Sequence, residues 1–206
     1  MNGVDDGWKP AEKLGSSGSM IKKWDQIVRN FWINGYNGVW TVDHDDGSQF
    51  MNDTHNFMVW GGCKNFLGNS KHCESNVIVH PGAGMSRSGA PCQTDDNLVF
   101  ANQYHRHNHC IVQGGNVSVL YKGCCGAKPN KCDAASLATH FYRTANNTIY
   151  TNGVPGPAMA PLFTQAECTN GWESWQAAGM DKGSTLKPIP SADEIVSMGK
   201  LVLGLR

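Results

Sequence analysis

The sequence has no long apolar run, no excess of one charge and no Cys-x-x-Cys pair. No segment reaches the roughly 20 apolar residues that a membrane-spanning helix needs. Because the basic and the acidic residues number 17 each, the composition indicates neither a nucleic-acid groove nor an anionic membrane surface. The missing Cys-x-x-Cys pair argues against a zinc ribbon. We therefore expect no nucleic acid and no membrane among the partners.

Eight cysteines and three glycosylation sequons are present instead, the sequons beginning at Asn52, Asn116 and Asn146. Both features are typical of an oxidising compartment, so we expect an extracellular, secreted protein with these asparagines as glycosylation sites. The spacing of the cysteines does not choose among the possible pairings, but it favours at least one bridge within Cys110–Cys132. No basic-then-apolar signal sequence follows Met1.

Six short apolar runs, each opened by an asparagine, recur along the chain. The asparagines are Asn30, Asn56, Asn76, Asn97, Asn116 and Asn147, at successive spacings of 26, 20, 21, 19 and 31 residues. One strand per period of about twenty residues is the pattern of a solenoid, in which each coil returns the chain to the same edge. The sequence therefore predicts an all-β fold, a right-handed parallel β-helix. The alternative is that asparagine simply precedes strands as a turn residue.

The repeats divide the chain into three parts. We interpret residues 1–23 as a polar N-terminal loop that follows missing upstream coils, 24–150 as the β-helix coils, and 151–206 as a Pro/Gly-rich tail. Within this tail, the capping-box pattern Ser191-Ala-Asp-Glu194 is followed by apolar residues at helical spacing. This predicts a short C-terminal helix that covers the exposed last coil.

The strongest candidate for chemistry is the acidic segment Asp43-His44-Asp45-Asp46. Carboxylates two residues apart on a strand lie about 6–7 Å apart, close enough to push their pKa values apart for acid/base catalysis. We expect Asp43 and Asp45 to be catalytic and His44 to be a base or proton relay. Together with Asp46, these two carboxylates could also bind Ca²⁺, the one cofactor that the segment suggests. The alternative is a type I turn at Asp45-Asp46-Gly47.

Counting residues from the repeat asparagines brings basic side chains of neighbouring coils near the acidic segment. One count selects Lys64 and Arg87 as catalytic candidates, and another selects Lys71 and His72, which we expect to bind substrate together with Asp46. The alternative is a simple salt-bridge ladder on a solvated face. The run His105-Arg106-His107-Asn108-His109 would place three imidazoles about 7 Å apart on one strand face, which is too wide for one metal ion. We interpret His105 and His107 as substrate contacts.

The asparagine repeats, the segment His44-Asp-Asp-Gly-Ser48 and the tail Trp175-Gln-Ala-Ala-Gly-Met-Asp-Lys-Gly-Ser184 resemble right-handed parallel β-helix proteins of the pectate-lyase-like superfamily. The resemblance covers roughly Asn30 to the C-terminus and implies polysaccharide lyases, glycoside hydrolases or uronate epimerases. Mannuronan epimerases carry Asp-Pro-His-Asp on such a coil. Here Asp43-His44-Asp45 lacks the proline, so only His44 and Asp45 match.

Two functions follow as expectations. The first is a secreted carbohydrate-active protein that acts on an extracellular, acidic polysaccharide as a lyase, hydrolase or epimerase. The second is a non-catalytic structural or adhesive glycoprotein on the same scaffold. A concave groove with carboxylates at its floor would favour the enzyme, and a flat, glycan-decorated face would favour the adhesive module.

Overall fold

The computed structural model describes residues 24–33, 41–44, 49–65, 69–80, 104–112, 143–152, 171–177 and 179–206. Within these ranges the chain is mostly β-strand. The strands are β1 (Asp25–Val28), β2 (Phe31–Ile33), β3 (Val42–His44), β4 (Gln49–Thr54), β5 (Phe57–Val59), β6 (Cys63–Asn65), β7 (Asn69–Glu74), β8 (Val77–His80), β9 (Tyr104–Arg106), β10 (His109–Val112), β11 (Arg143–Ala145), β12 (Thr148–Thr151) and β13 (Thr185–Lys187). The two helices are α1 (Trp172–Ala177) and α2 (Ala192–Leu203).

All strand pairings in the described ranges are parallel, as the repeats predicted, and they form three sheets. Sheet A has the order β1-β4-β7-β9-β11, sheet B has the order β13-β12-β10-β8-β5-β2, and sheet C pairs β3 with β6. Along the chain, a strand of sheet A is repeatedly followed by a strand of sheet B. Neighbours within each of these two sheets are therefore contributed by successive segments of the chain.

A column of asparagines connects the turns between sheets A and B. We call Asn30, Asn56, Asn76, Asn108 and Asn147 the asparagine ladder. The backbone N–H of each donates to Oδ1 of the next at 2.8–2.9 Å. From Asn56 onward, each Nδ2 also donates to a backbone carbonyl of a sheet A strand, at 2.8–3.0 Å. The ladder supplies buried donors and acceptors with partners at every turn.

The ladder corrects part of the predicted repeat. Its third step runs from Asn76 to Asn108, a separation of 32 residues, so Asn97 and Asn116 are not its next members. Both of these lie outside the described residues. Asn108 was missed because its strand begins with His109 and because the surrounding histidines gave the impression of a polar face.

The left-handed backbone at each turn belongs to the residue before the ladder asparagine. Arg29, His55, Ser75, His107 and Asn146 have φ between 54° and 57°. A residue with a Cβ in this region costs about 1–2 kcal/mol relative to the right-handed one, and a β-branched residue fits it poorly.

This geometry gives a first prediction. Ser75→Val should lower the free energy of unfolding by about 1–2 kcal/mol, because valine is a poor residue for positive φ. The matched control, Ser75→Gly, should be neutral or slightly stabilising, because glycine adopts this conformation without steric cost. Denaturant unfolding of the two variants checks this, and equal destabilisation by both would contradict it.

The apolar core has two layers because sheet B is covered on both faces. Its inner column contains Met58, Ile78, Cys110 and Ile149, all at most 1% exposed. Its outer face packs against α2 and contributes Phe57, Val77, Val79, Ile111 and Tyr150 to one cluster with Ile195. Burial of both faces explains why these strands are apolar runs rather than alternating ones.

Helix α2 confirms the predicted helix and its capping box, in which Ser191 Oγ accepts from the Glu194 N–H and Glu194 accepts from the Ser191 N–H. Its position differs from the prediction. The helix lies along the outer face of sheet B, and a Cβ at Gly199 would collide with the Phe57 ring, so the two approach closely. Leu201, one of the apolar residues at helical spacing, is 79% exposed and does not belong to the packed face.

The C-terminal end of the ladder is closed by other residues. Asn147 N–H donates to Ser184 Oγ at 2.8 Å, and Asn147 Nδ2 donates to Asp181 Oδ1 at 2.9 Å. Asp181 is fully buried and also accepts from Ser184 Oγ and from Trp175 Nε1, both at 2.8 Å. These three donors satisfy the buried carboxylate.

Candidate functional site

Sheet A has one buried and one accessible face. On β4 and β7, Asp53 and Cys73 are fully buried, whereas their neighbours along the strands are partly exposed. On the accessible face, strand register aligns Gln26, Asn52, His72 and Tyr104 in one column, and Thr54, Glu74 and Arg106 in a second. We call the following set the outer strip: Trp24, Gln26, Asn52, His72, Glu74, Tyr104 and Arg106.

Aromatic rings form a continuous row in the outer strip. The His72 ring lies between Trp24, at 4.5 Å between centroids, and Tyr104, at 4.7 Å in an edge-to-face arrangement. Phe50 supports the indole of Trp24 edge-to-face at 5.7 Å. The Arg106 guanidinium lies 4.5 Å from the centroid of the Tyr104 ring, which is within cation–π distance. The row thus spans neighbouring strands of sheet A.

Polar groups line the same row. Arg106 Nε donates to Glu74 Oε1 at 2.9 Å, and this carboxylate oxygen lies 3.8 Å from His72 Nδ1. Asn52 Nδ2 donates to Gln26 Oε1 at 2.7 Å. Desolvation lowers the pKa of His72, and this effect outweighs the opposing influence of Glu74. His72 is therefore a neutral imidazole at neutral pH, able to accept as well as donate a hydrogen bond.

The interior of the protein also contains a polar cluster, and it includes two residues predicted at the surface. His44 Nε2 and Asp53 Oδ2 are 2.7 Å apart, and Lys71 Nζ donates to the His44 carbonyl at 3.0 Å. His44 is 6% exposed, and Lys71 and Asp53 are 0% exposed. This burial corrects the expected surface roles: Lys71 does not reach a substrate on the accessible face, and His44 lies inside rather than on an outward catalytic face.

The predicted histidine face is also corrected. His105 and His109 belong to different strands, β9 and β10, and exposed His107 occupies the turn between them. His105 is fully buried, and desolvation lowers its pKa to about 3. His109 stacks on Tyr150 at 5.9 Å in sheet B, with a 3.0 Å hydrogen bond between Nδ1 and the Tyr150 hydroxyl. The three imidazoles therefore share no strand face.

The structure places the remaining candidates as follows. Parallel pairing of β3 with β6 sets Asp43 opposite Lys64 in register. Counting residues had placed Lys64 near the acidic segment, and this register brings the backbones of Asp43 and Lys64 side by side. Three further candidates lie outside the described residues. They are Asp45 and Asp46 of the acidic segment, and Arg87, its predicted basic partner.

Two of the three predicted glycosylation asparagines are described. Asn146 is exposed at a turn, whereas Asn52 lies within β4 and is bonded to Gln26. Asn116 lies outside the described residues.

The predicted disulfide bonding is present. Cys63 of sheet C is joined to Cys73 of sheet A, and Cys110 is also disulfide-bonded. No group of three or more His, Cys, Asp and Glu in the described ranges could hold a metal ion. The predicted Ca²⁺ ligands Asp45 and Asp46 are not among these residues. None of the helices that the structure describes is long and apolar enough to span a membrane.

Sequence reasoning missed most of the outer strip, including Trp24, Glu74, Tyr104 and Arg106. A usable signal was present: Lys71-His-Cys-Glu74 and Tyr104-His-Arg106 alternate, with one set buried and the other accessible. The sequence pattern predicts one strand for the histidine run, with His105 on its accessible face. This assignment hid the alternation, because His105 is in fact the buried residue of β9.

No protein-family model matches the chain, and neither the curated proteins nor the solved structures contain a match. We therefore infer the function from the geometry of the outer strip.

Proposed function

We propose that the protein is a secreted, right-handed parallel β-helix that binds an extended, acidic polysaccharide along the outer strip. The alternation of the chain between sheets A and B and the single column of ladder asparagines support the coiled arrangement. Right-handedness follows from the strong bias of parallel crossover connections. The two disulfide-bonded sites support an oxidising compartment.

The observation that carries the binding proposal is the row of rings and polar groups across four neighbouring strands. Aromatic faces pack against the C–H surfaces of sugar rings, and amide and guanidinium groups bond their hydroxyls. Neighbouring strands are about 4.8 Å apart, which is comparable to the length of one pyranose in an extended chain. A polysaccharide lying along the stacking direction would therefore meet a new strand with each sugar.

Arg106 favours an acidic polysaccharide. Glu74 accepts from its Nε–H, and a guanidinium carries further N–H donors in a fork that suits a carboxylate. Its position over the Tyr104 ring orients the group. The Arg106 end of the strip would thus bind a uronate, and the ring-lined part would bind the sugar faces.

Binding without catalysis agrees best with the burial of His44, Lys71 and His105. A second candidate, cleavage or epimerisation of the same polysaccharide, is favoured by one observation, the register pairing of Asp43 with Lys64 in sheet C. A carboxylate and an ammonium group on adjacent strands could serve as acid/base partner and uronate neutraliser. Loss of turnover in Lys64→Met with unchanged binding would support this candidate.

The binding proposal predicts that Tyr104→Ala and Arg106→Gln each weaken binding of hexagalacturonate at least about 10-fold, because aromatic and arginine contacts dominate such interfaces. Isothermal titration calorimetry measures the affinity. Lys187→Ala is the matched control, since this exposed cation lies on β13 of sheet B. Equal affinity of all three variants and the parent would contradict the proposal.

A further inference from the structure

Two independent irregularities meet at the aromatic end of the outer strip. His72 Nε2 is a buried atom without a hydrogen-bond partner in the part of the chain that the structure describes. Phe50, whose ring supports Trp24, has a left-handed backbone at φ 58°. Buried polar atoms are normally paired, and a bulky residue with positive φ is rare, so each irregularity calls for a reason.

The neighbouring strand shows that the backbone at Phe50 does not itself require an aromatic residue. Ser70, which follows Asn69 on β7 as Phe50 follows Gln49 on β4, has the same conformation, at φ 54°. A small residue therefore satisfies this backbone conformation. The extra ring at Phe50 packs edge-to-face against the Trp24 indole, at 5.7 Å between centroids, and so adds an aromatic contact at this end of the outer strip.

The orientation of His72 leaves one nitrogen for a ligand. Its Nδ1 is the nitrogen that faces Glu74, at 3.8 Å from Oε1, a distance at which the carboxylate favours a proton on Nδ1. Nε2 of that tautomer has a lone pair and accepts a hydrogen bond. A sugar hydroxyl is a donor of suitable size. A carboxylate has no proton to donate, so it could not form a hydrogen bond with this nitrogen.

We infer that Trp24, His72 and Tyr104 form one sugar subsite, in which the Trp24 indole moves off the imidazole, stacks on a pyranose ring and lets a sugar hydroxyl donate to His72 Nε2. This inference rests on the proposed polysaccharide binding and specifies its hydroxyl-recognising part, separate from the uronate contact at Arg106. Binding would give the unpartnered nitrogen a donor and the indole a second apolar face.

The test compares ring-preserving variants by calorimetry with hexagalacturonate. His72→Phe keeps a ring between Trp24 and Tyr104 but removes both nitrogens, and we expect it to weaken binding about 10-fold. His72→Gln, which can still accept a hydrogen bond, should lose less. In the parent, titration with the oligosaccharide should shift the ¹⁵N resonance of His72 Nε2, while that of exposed His107 stays unchanged.

The outcomes separate this inference from the proposed function. If His72→Phe binds as tightly as the parent while Tyr104→Ala and Arg106→Gln bind weakly, polysaccharide binding along the outer strip is supported and the His72 subsite is wrong. An unchanged Nε2 resonance at saturation would also overturn the subsite. If the parent binds no polysaccharide, both the proposed function and the subsite fall.

Discussion

Replacing Asn76 by alanine should lower the free energy of unfolding by about 3–5 kcal/mol, because the change removes a fully buried member of the asparagine ladder. Asn76 Oδ1 accepts from the backbone N–H of Asn56 at 2.8 Å, and Asn76 Nδ2 donates to the Asp53 carbonyl at 2.9 Å. Alanine would leave these buried groups without their partner. Each such loss costs about 1–3 kcal/mol.

Asn30 provides the matched control for this experiment, because it lies at the partly exposed end of the ladder. Its side chain donates to the Val28 carbonyl and to Asn56 Oδ1, and the latter keeps its bond from the Asn30 backbone N–H after truncation. Asn30→Ala should therefore cost about 1 kcal/mol or less. Denaturant unfolding gives both values, and an equal effect at Asn30 and Asn76 would contradict the ladder as a source of stability.

Acidification should destabilise the protein through His105. Burial lowers the pKa of His105 to about 3 in the folded protein, from 6.5 in the unfolded chain. Between these values the unfolded state binds the additional proton, so stability is fully present above pH 6.5 and falls as the pH is lowered toward 3. At 1.36 kcal/mol per pKa unit, this group contributes on the order of 4–5 kcal/mol to the loss.

The contribution of His105 can be isolated from that of the carboxylates by difference. His105→Gln removes the titrating group but keeps a polar side chain beside Asn108, whose Nδ2 lies 3.3 Å from His105 Nδ1. The variant should show a flatter dependence of unfolding free energy on pH from 6.5 downward than the parent. His107→Asn is the control at the exposed turn and should retain the steep profile. If the His105→Gln profile matches that of the parent, the buried imidazole is not the cause.

The sequence predicted the asparagine turns and the parallel strands because the same physical requirement repeats. Each turn between sheets A and B needs a short side chain with one donor and one acceptor, and asparagine supplies both. Asn108 escaped prediction because its repeat breaks the spacing, at 32 residues from Asn76 and 39 from Asn147. Longer excursions between strands do not disturb the ladder, so a fixed period is a weaker guide than the residue at the turn.

The candidate site was harder to predict, since burial depends on which face of a strand meets the interior. Lys71 and His72 were both expected near a substrate, yet their side chains point to opposite faces of β7, and only His72 is accessible. A buried lysine cannot be inferred from residue type, because lysine is rarely buried without a partner. Its hydrogen bond to the His44 carbonyl arises from sheet C packing beside sheet A, a long-range contact.

A crystal structure of the protein with bound hexagalacturonate tests the central claim most directly. We expect sugars along the outer strip, with a ring on Trp24, a hydroxyl at His72 Nε2 and a carboxylate at Arg106. We also expect the oligosaccharide to run across the strands of sheet A rather than along one strand. An oligosaccharide bound on sheet B or at β3 and β6 instead, with the outer strip bare, would contradict this claim.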